Sequence, residues 1–256
     1  MTLPSVEALR SAIGLRTEEA FETCRTALSI QPHPDDTEIA AGGTVAKLAS
    51  RGVKVVYVTV TDGGAGTMDP SMPWEELVRI RKREQEEAAK TLGVSELVWL
   101  NFRDSELRPT LELRNRLITV IRRYKPDVIL TVDPWLPYEA HPDHIAVGLA
   151  ASEAFFFSNL AGVNRSDLEM GLEPHTTRYI AYYWTRTPNH YVDISDLIEV
   201  KRRAMSMHKS QFTEEIVELL VRYSELLGLR VGYKYAEAFK ILNPLALHVN
   251  PFAEIL

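Results

Sequence analysis

Apolar positions along this chain fall into two alternating rhythms. Short apolar runs predict strands at residues 27–31, 53–61 (VKVVYVTVT, rich in β-branched residues), 97–102 and 127–132 (DVILTV). Between them, apolar residues recur at helical spacing at 38–51, 74–92, 111–124 and 144–160. The second of these helices is charged and amphipathic, and Gly93 follows it as a stop signal. After residue 160 the rhythm loosens. It predicts strands at 178–185 (RYIAYYWT) and 191–194, and helices at 195–208 and 213–227.

Alternating β and α elements of this length predict an α/β fold. The expectation is a Rossmann-like, open, mostly parallel sheet with helices on both faces. If the first four strands take the common order 3-2-1-4, strands one and four are neighbours. The crevice at their carboxyl ends is then the topological switch point where such sheets bind ligands. The loops reaching it are 32–37 and 133–143. The chain is long enough for one large domain over 1–256. Residues 1–160 would form the α/β core, and 161–256 would pack further strands and helices on it.

Composition narrows the function. With 29 Lys and Arg against 35 Asp and Glu, the formal net charge is -6. There is no long basic run, so neither nucleic acid nor an anionic membrane is an expected partner. Charges interrupt residues 1–24 too often for a signal peptide, and no apolar run approaches a membrane span. The single cysteine, Cys24, permits no intrachain disulfide. The expected setting is cytoplasmic.

The two switch-point loops carry the chemistry. The first reads Pro32-His33-Pro34-Asp35-Asp36-Thr37-Glu38, the second ends His141-Pro142-Asp143-His144. A catalytic zinc takes three N or O ligands and keeps one position open. His33 and Asp36, three residues apart at a strand-to-helix turn, can face one ion. The third ligand is His141 or His144, and the residues alone leave that choice open. Asp36 could instead only cap a helix, but two His-Pro-Asp loops at one switch point favour a metal. Two His and one carboxylate also describe non-haem Fe(II) oxygenases. A further carboxylate beside the site, Asp35, favours hydrolysis. A non-catalytic, metal-stabilised sugar-binding protein is the third reading; it would close its metal with a fourth protein ligand.

These motifs resemble the PHPDDxE and HPDH signatures of the LmbE/PIG-L superfamily of zinc-dependent N-deacetylases. Residues 61–63 (TDG), 101–107 (NFRDSEL), 133–139 (DPWLPYE) and 235–239 (YAEAF) are similar to the archaeal diacetylchitobiose deacetylase branch. The resemblance implies zinc on His33, Asp36 and His144, with Asp35 as general base. It implies that His141 stabilises the oxyanion or protonates the leaving amine, with Asp143 orienting it. Arg81 and Asp104 match positions used near the substrate. It also implies removal of an acetyl group from an N-acetylglucosamine-containing sugar, diacetylchitobiose or GlcNAc, and a homo-oligomer, a hexamer or trimer. A GlcNAc conjugate such as a thiol precursor is the alternative substrate. Some family members carry a Tyr two residues before the first His of HPDH; here Glu139 stands there, beside Tyr138, and neither receives a role.

Other features are expected to be structural. The glycine-rich stretch 62–67 lacks the Lys-Ser/Thr of a P-loop and reads as a flexible rim loop. Gly42-Gly43 suggests close helix–sheet packing. Residues 84–87 (EQEE) read as a solvated helix face. His208 reads as a solvated helix-end residue or a neighbour of the site. His175, His190 and His248 have no clustered partners, and the run 155–157 (FFF) is core or subunit interface. The loops around 63–74 and 159–177 are expected to select the substrate.

Overall fold

A computed structural model describes residues 5–256. Residues 1–4, part of the stretch read above for a signal peptide, lie outside the described residues. Two short helices, α1 (Val6–Ala12) and α2 (Glu19–Glu22), precede the alternating core. The core runs β1 (Thr26–Gln31), α3 (Asp36–Ser50), β2 (Lys54–Thr61), α4 (Trp74–Leu92), β3 (Glu96–Phe102), α5 (Leu111–Tyr124), β4 (Val128–Val132) and α6 (Pro142–Phe157). Then follow α7 (Ser166–Glu169), β5 (Tyr179–Tyr183), β6 (His190–Asp193), a 3-10 turn at Ser195–Leu197, α8 (Ile198–Met205), α9 (Glu214–Leu229), β7 (Ala236–Leu242) and α10 (Pro244–Leu247).

One seven-stranded sheet of order β3-β2-β1-β4-β5-β7-β6 runs through both halves of the sequence. The expected 3-2-1-4 order holds, and β5 adds in parallel to β4. Successive strand residues point to opposite faces. Every residue of β4 and β5, and all but the first of β1 and β2, is buried. Both faces are therefore covered, which is why these strands read as continuous apolar runs. Helices α3, α4 and α8 pack on one another, and α5 packs on α6.

The far edge differs from the sequence reading. Strand β7 is antiparallel to β5 and carries β6 on its other side. Its AEAFKIL sequence gave no strand signal because Glu237 and Lys240 interrupt the apolar pattern, yet both are buried. Glu237 accepts from Lys201 Nζ at 2.6 Å and from the backbone N–H groups of Gly43 (2.8 Å) and Thr44 (2.7 Å). The pair thus ties β7 and α8 to the middle of α3. At Gly43 a Cβ would lie 2.6 Å from Ile194, and at Gly42 3.4 Å from Lys201 Cγ. The two glycines admit the Ile194 turn and α8, in place of the helix–sheet contact expected of them.

Several boundaries also moved. Helix α3 begins at Asp36 and α6 at Pro142, two residues earlier than the periodicity placed each. The polar motif residues belong to the first turns of helices, where apolar periodicity is silent.

Lys201 and Glu237 are each 1% exposed. Removing one partner leaves the other charged and buried, which typically costs about 3–5 kcal/mol. Lys201→Ala should lose that much in urea unfolding; a loss under about 1 kcal/mol would show that the pair does not brace α3.

Candidate active site

Both motif loops reach the carboxyl ends of β1 and β4, which pair side by side. Asp35 precedes α3 with φ 108° and ψ -26°. Such a conformation costs a non-glycine residue about 1–3 kcal/mol and persists only where its surroundings impose it. Here Arg81 of α4 donates through Nη2 to Asp35 Oδ2 (3.0 Å) and to Pro34 O (2.8 Å), and through Nη1 to Gly63 O (2.9 Å). Asp36 takes the first helical position, and its Oδ2 accepts from His33 N at 2.8 Å. On the second loop, His141 caps α6, and its Nδ1 accepts from Asp143 N at 3.3 Å.

Within β3, Trp99 pairs with Thr59 but Phe102 with Thr61, so β3 holds an extra residue there. Asn101 takes φ 53° within this bulge. The bulge re-aims the chain, and Asp104 follows it into the site. There His33 Nε2 lies 3.2 Å from Asp104 Oδ1 and 3.2 Å from Asp143 Oδ2, while its Nδ1 lies 3.4 Å from Asp36 Oδ2. His144 Nε2 lies 3.6 Å from Asp36 Oδ1, and its Nδ1 lies 3.2 Å from Glu139 Oε2.

Each of these two histidines therefore turns one ring nitrogen toward Asp36 and the other toward a carboxylate. That is the arrangement by which carboxylates fix metal-ligating histidines. The spacings of 3.4 and 3.6 Å are close to the roughly 3.3 Å edge of a tetrahedron with bonds of about 2.0 Å. A second set, His33, Asp104, His141 and Asp143, also converges. Its donors are more committed. Asp143 accepts from Ser105 N (2.7 Å) and Leu107 N (3.1 Å), and Asp104 from Ala65 N (3.0 Å).

The electrostatics of these groups suit a bound cation. Burial alone would lower the His33 pKa, but the bonds with Asp104, Asp143 and Asp36 push it well above 6.5. Burial works to raise the Asp36 carboxyl; His144 and His33 overcome it and hold the group at about 2. Asp104 is likewise held at about 2, against burial, chiefly by His33. Burial pushes Asp35 up to about 6, with Arg81 opposing. Burial and the neighbouring His33 and His144 lower His141. Three carboxylates thus surround one buried imidazole, more negative charge than a single proton balances. A divalent ion fits this donor set.

A cleft of about 250 Å³ opens above these groups, lined by His33, Asp35, Gly66, Arg81, His141 and Gln211 among others. All eight sequence-predicted residues meet here, and Arg81 and Asp104 both line the cleft. The Asp143 carboxylate bonds His33, and only its backbone N–H reaches the His141 ring. Arg81 and Asp104 are both buried, engaged with Asp35 and His33.

Several expectations need correction. The 62–67 stretch is not a loose rim: Ala65 N bonds Asp104, and a Cβ on Gly66 would come within 2.6 Å of Arg81 Nη1. Asp62 accepts from Gly64 N, Trp74 Nε1 and Asp104 N. Segment 159–177 follows the far end of α6, about 24 Å from the site by helix rise. There Arg122 bonds the carbonyls of Ser158, Leu160, Val163 and Asn164, so that segment does not line the cleft. His208 is fully buried, with Nε2 3.7 Å from Glu38 Oε2. Gln85 is fully buried, not solvated. Leu77, Arg81, Gln85, Ala88 and Leu92 form the buried stripe of α4. That helical spacing was the available signal for Gln85. Glu139, left without a role, holds His144, while Tyr138 beside it is fully exposed.

Residues 28–155, which contain both loops, match the GlcNAc-PI de-N-acetylase (PIG-L) family. The diacetylchitobiose deacetylase of Thermococcus kodakarensis is 42% identical over 253 residues, covering 97% of this chain and 95% of that one. The chain belongs to the PIG-L family. A structure of N,N'-diacetylchitobiose deacetylase from Pyrococcus horikoshii, solved with an inhibitor, superposes with a TM-score of 0.93 at 40% identity, covering 100% of this chain and 99% of that one. A probable N-acetyl-alpha-D-glucosaminyl L-malate deacetylase of Bacillus anthracis is 28% identical, covering 85% of this chain and 95% of that one. Members of the family are metal-dependent deacetylases, in keeping with the donor set described here.

A metal bound only by the folded protein should stabilise it. At a free metal concentration 1,000 times Kd, the gain is about 4 kcal/mol, or roughly 10 °C in Tm for a chain of this size. Calorimetry of chelator-treated and zinc-loaded protein should show that gap; coincident transitions would count against a metal site.

Proposed function

We propose that this chain is a zinc-dependent deacetylase that hydrolyses the acetamide of an N-acetylglucosamine-containing sugar, with diacetylchitobiose as the preferred substrate. The observation that carries the reading is the placement of Asp35. Arg81 holds its carboxylate at the cleft beside His33 and apart from the carboxylates that bond His33. The breadth of the match to the Thermococcus kodakarensis enzyme supports the choice of sugar.

In this reading His33, Asp36 and His144 hold the zinc, with Asp104, Asp143 and Glu139 orienting the two imidazoles. Zinc held by these residues would supply Lewis-acid chemistry, lowering the pKa of water toward neutrality and polarising the acetyl carbonyl. Asp35 Oδ2 is engaged by Arg81, whereas Oδ1 has no hydrogen-bond partner among the described residues. Oδ1 is then the atom that accepts the attacking water's proton. Since His141 Nδ1 accepts from Asp143 N, the ring's proton sits on Nε2. The depressed His141 pKa keeps this imidazole neutral, a donor to the carbonyl oxygen as it gains negative charge. The proton held on Asp35 passes to the departing nitrogen as the C–N bond breaks. Acetate and a free amino sugar result.

Acetate release should be measured with zinc-loaded protein on diacetylchitobiose, GlcNAc and a GlcNAc–malate conjugate. Diacetylchitobiose should give the highest kcat/KM. No release from any of them would refute the activity, and preference for the conjugate would refute the substrate. Asp35→Asn should lower kcat by about 100-fold or more with zinc content unchanged. Loss of zinc in that variant would overturn the division between base and ligands.

A further inference from the structure

We infer that Gln85, on the buried stripe of α4, is a positioning residue for Asp35, acting with Glu38. The inference rests on reading Asp35 as the proton acceptor. Gln85 Oε1 accepts from Asp35 N at 3.1 Å and from Gln31 Nε2 at 2.9 Å. Its Nε2 donates to Glu38 Oε1 at 2.9 Å. Gln31 is fixed in turn: its Nε2 also reaches Thr59 Oγ1 (2.9 Å), and its Oε1 accepts from Thr37 N (2.9 Å). All of these side chains are fully buried.

The network has a direction. Glu38 is an acceptor, so it commits the Gln85 amide to one orientation, with Nε2 toward Glu38 and Oε1 toward Asp35 N. Oε1 is thereby presented to the backbone N–H of the one residue in this turn with a left-handed φ, 108°. Arg81 holds the Asp35 side chain, and Gln85 holds its main chain. The two lie four residues apart, one helical turn, on the same face of α4. Gln85 does not line the cleft. Its effect on turnover must pass through the place where the Asp35 carboxylate stands, and a misplacement of about 1 Å can cost on the order of 100-fold.

Gln85→Met keeps the length of the side chain and removes its hydrogen bonds. With zinc-loaded protein on diacetylchitobiose, kcat should fall about 10- to 100-fold, while KM stays within about twofold and zinc remains near one per chain. The swap Gln85→Glu with Glu38→Gln reverses donor and acceptor and keeps the total charge. It should restore kcat to within about threefold of the parent, whereas Gln85→Glu alone should be slow because two carboxylates then face each other. The swap supplies the test even if Gln85→Met fails to fold. An unchanged kcat in folded Gln85→Met, loss of zinc in step with activity, or a folded, zinc-loaded swap that stays slow would each overturn the inference. Asp35→Asn separates the underlying reading: if that variant turns over normally, Asp35 is not the base. If it is inactive while Gln85→Met is normal, only the positioning role fails.

Discussion

His33 is buried with carboxylates on both of its ring nitrogens, and these come from three separate parts of the chain. Asp36 opens α3, Asp104 follows the bulge of β3, and Asp143 lies in the first turn of α6. Burying that many ionised groups is costly unless each is paired. The backbone supplies much of the pairing, through the N–H groups of His33, Ala65, Ser105 and Leu107. Helices α3 and α6 both start at the site, so their positive ends add to it. A divalent cation among the remaining donors would complete the balance.

This constraint explains why the surroundings are so closely built. The glycines of the 62–67 stretch let the chain pass against Arg81 and Trp74. Arg81 then joins that stretch to Pro34 and Asp35. Behind it, Gln85, Gln31 and Glu38 fix the turn itself. Further back, the Lys201–Glu237 pair joins α8 and β7 to α3. The cleft is the surface of a polar network that continues well into the protein.

Much of the fold and of the site is legible in the sequence. Four apolar runs alternating with helical stretches predict the alternating core, and the common order 3-2-1-4, assumed for the first four strands and found in the sheet, brings both loops to the switch point. Strand β7 is not legible, because Glu237 and Lys240 look solvent-facing until their partners from distant elements are known. The same holds for His208 and Gln85, whose polarity suggests solvent and whose shared neighbour Glu38 lies far upstream in the sequence, 47 residues before Gln85. The direction of the Asp143 carboxylate is likewise a tertiary fact. It follows from Ser105 and Leu107 meeting the start of α6, and neighbouring residues in the sequence give no hint of it.

In the proposed function Asp36 and the two histidines braced by carboxylates, His33 and His144, hold the metal, while His141 acts on substrate. The most direct measurement is zinc content by elemental analysis of His144→Ala and His141→Ala after identical loading and desalting. His144→Ala should retain little zinc, and His141→Ala should retain about one equivalent while losing turnover. Zinc retained by His144→Ala and lost from His141→Ala would place the ion in the set formed by His33, Asp104, His141 and Asp143, and would contradict the account.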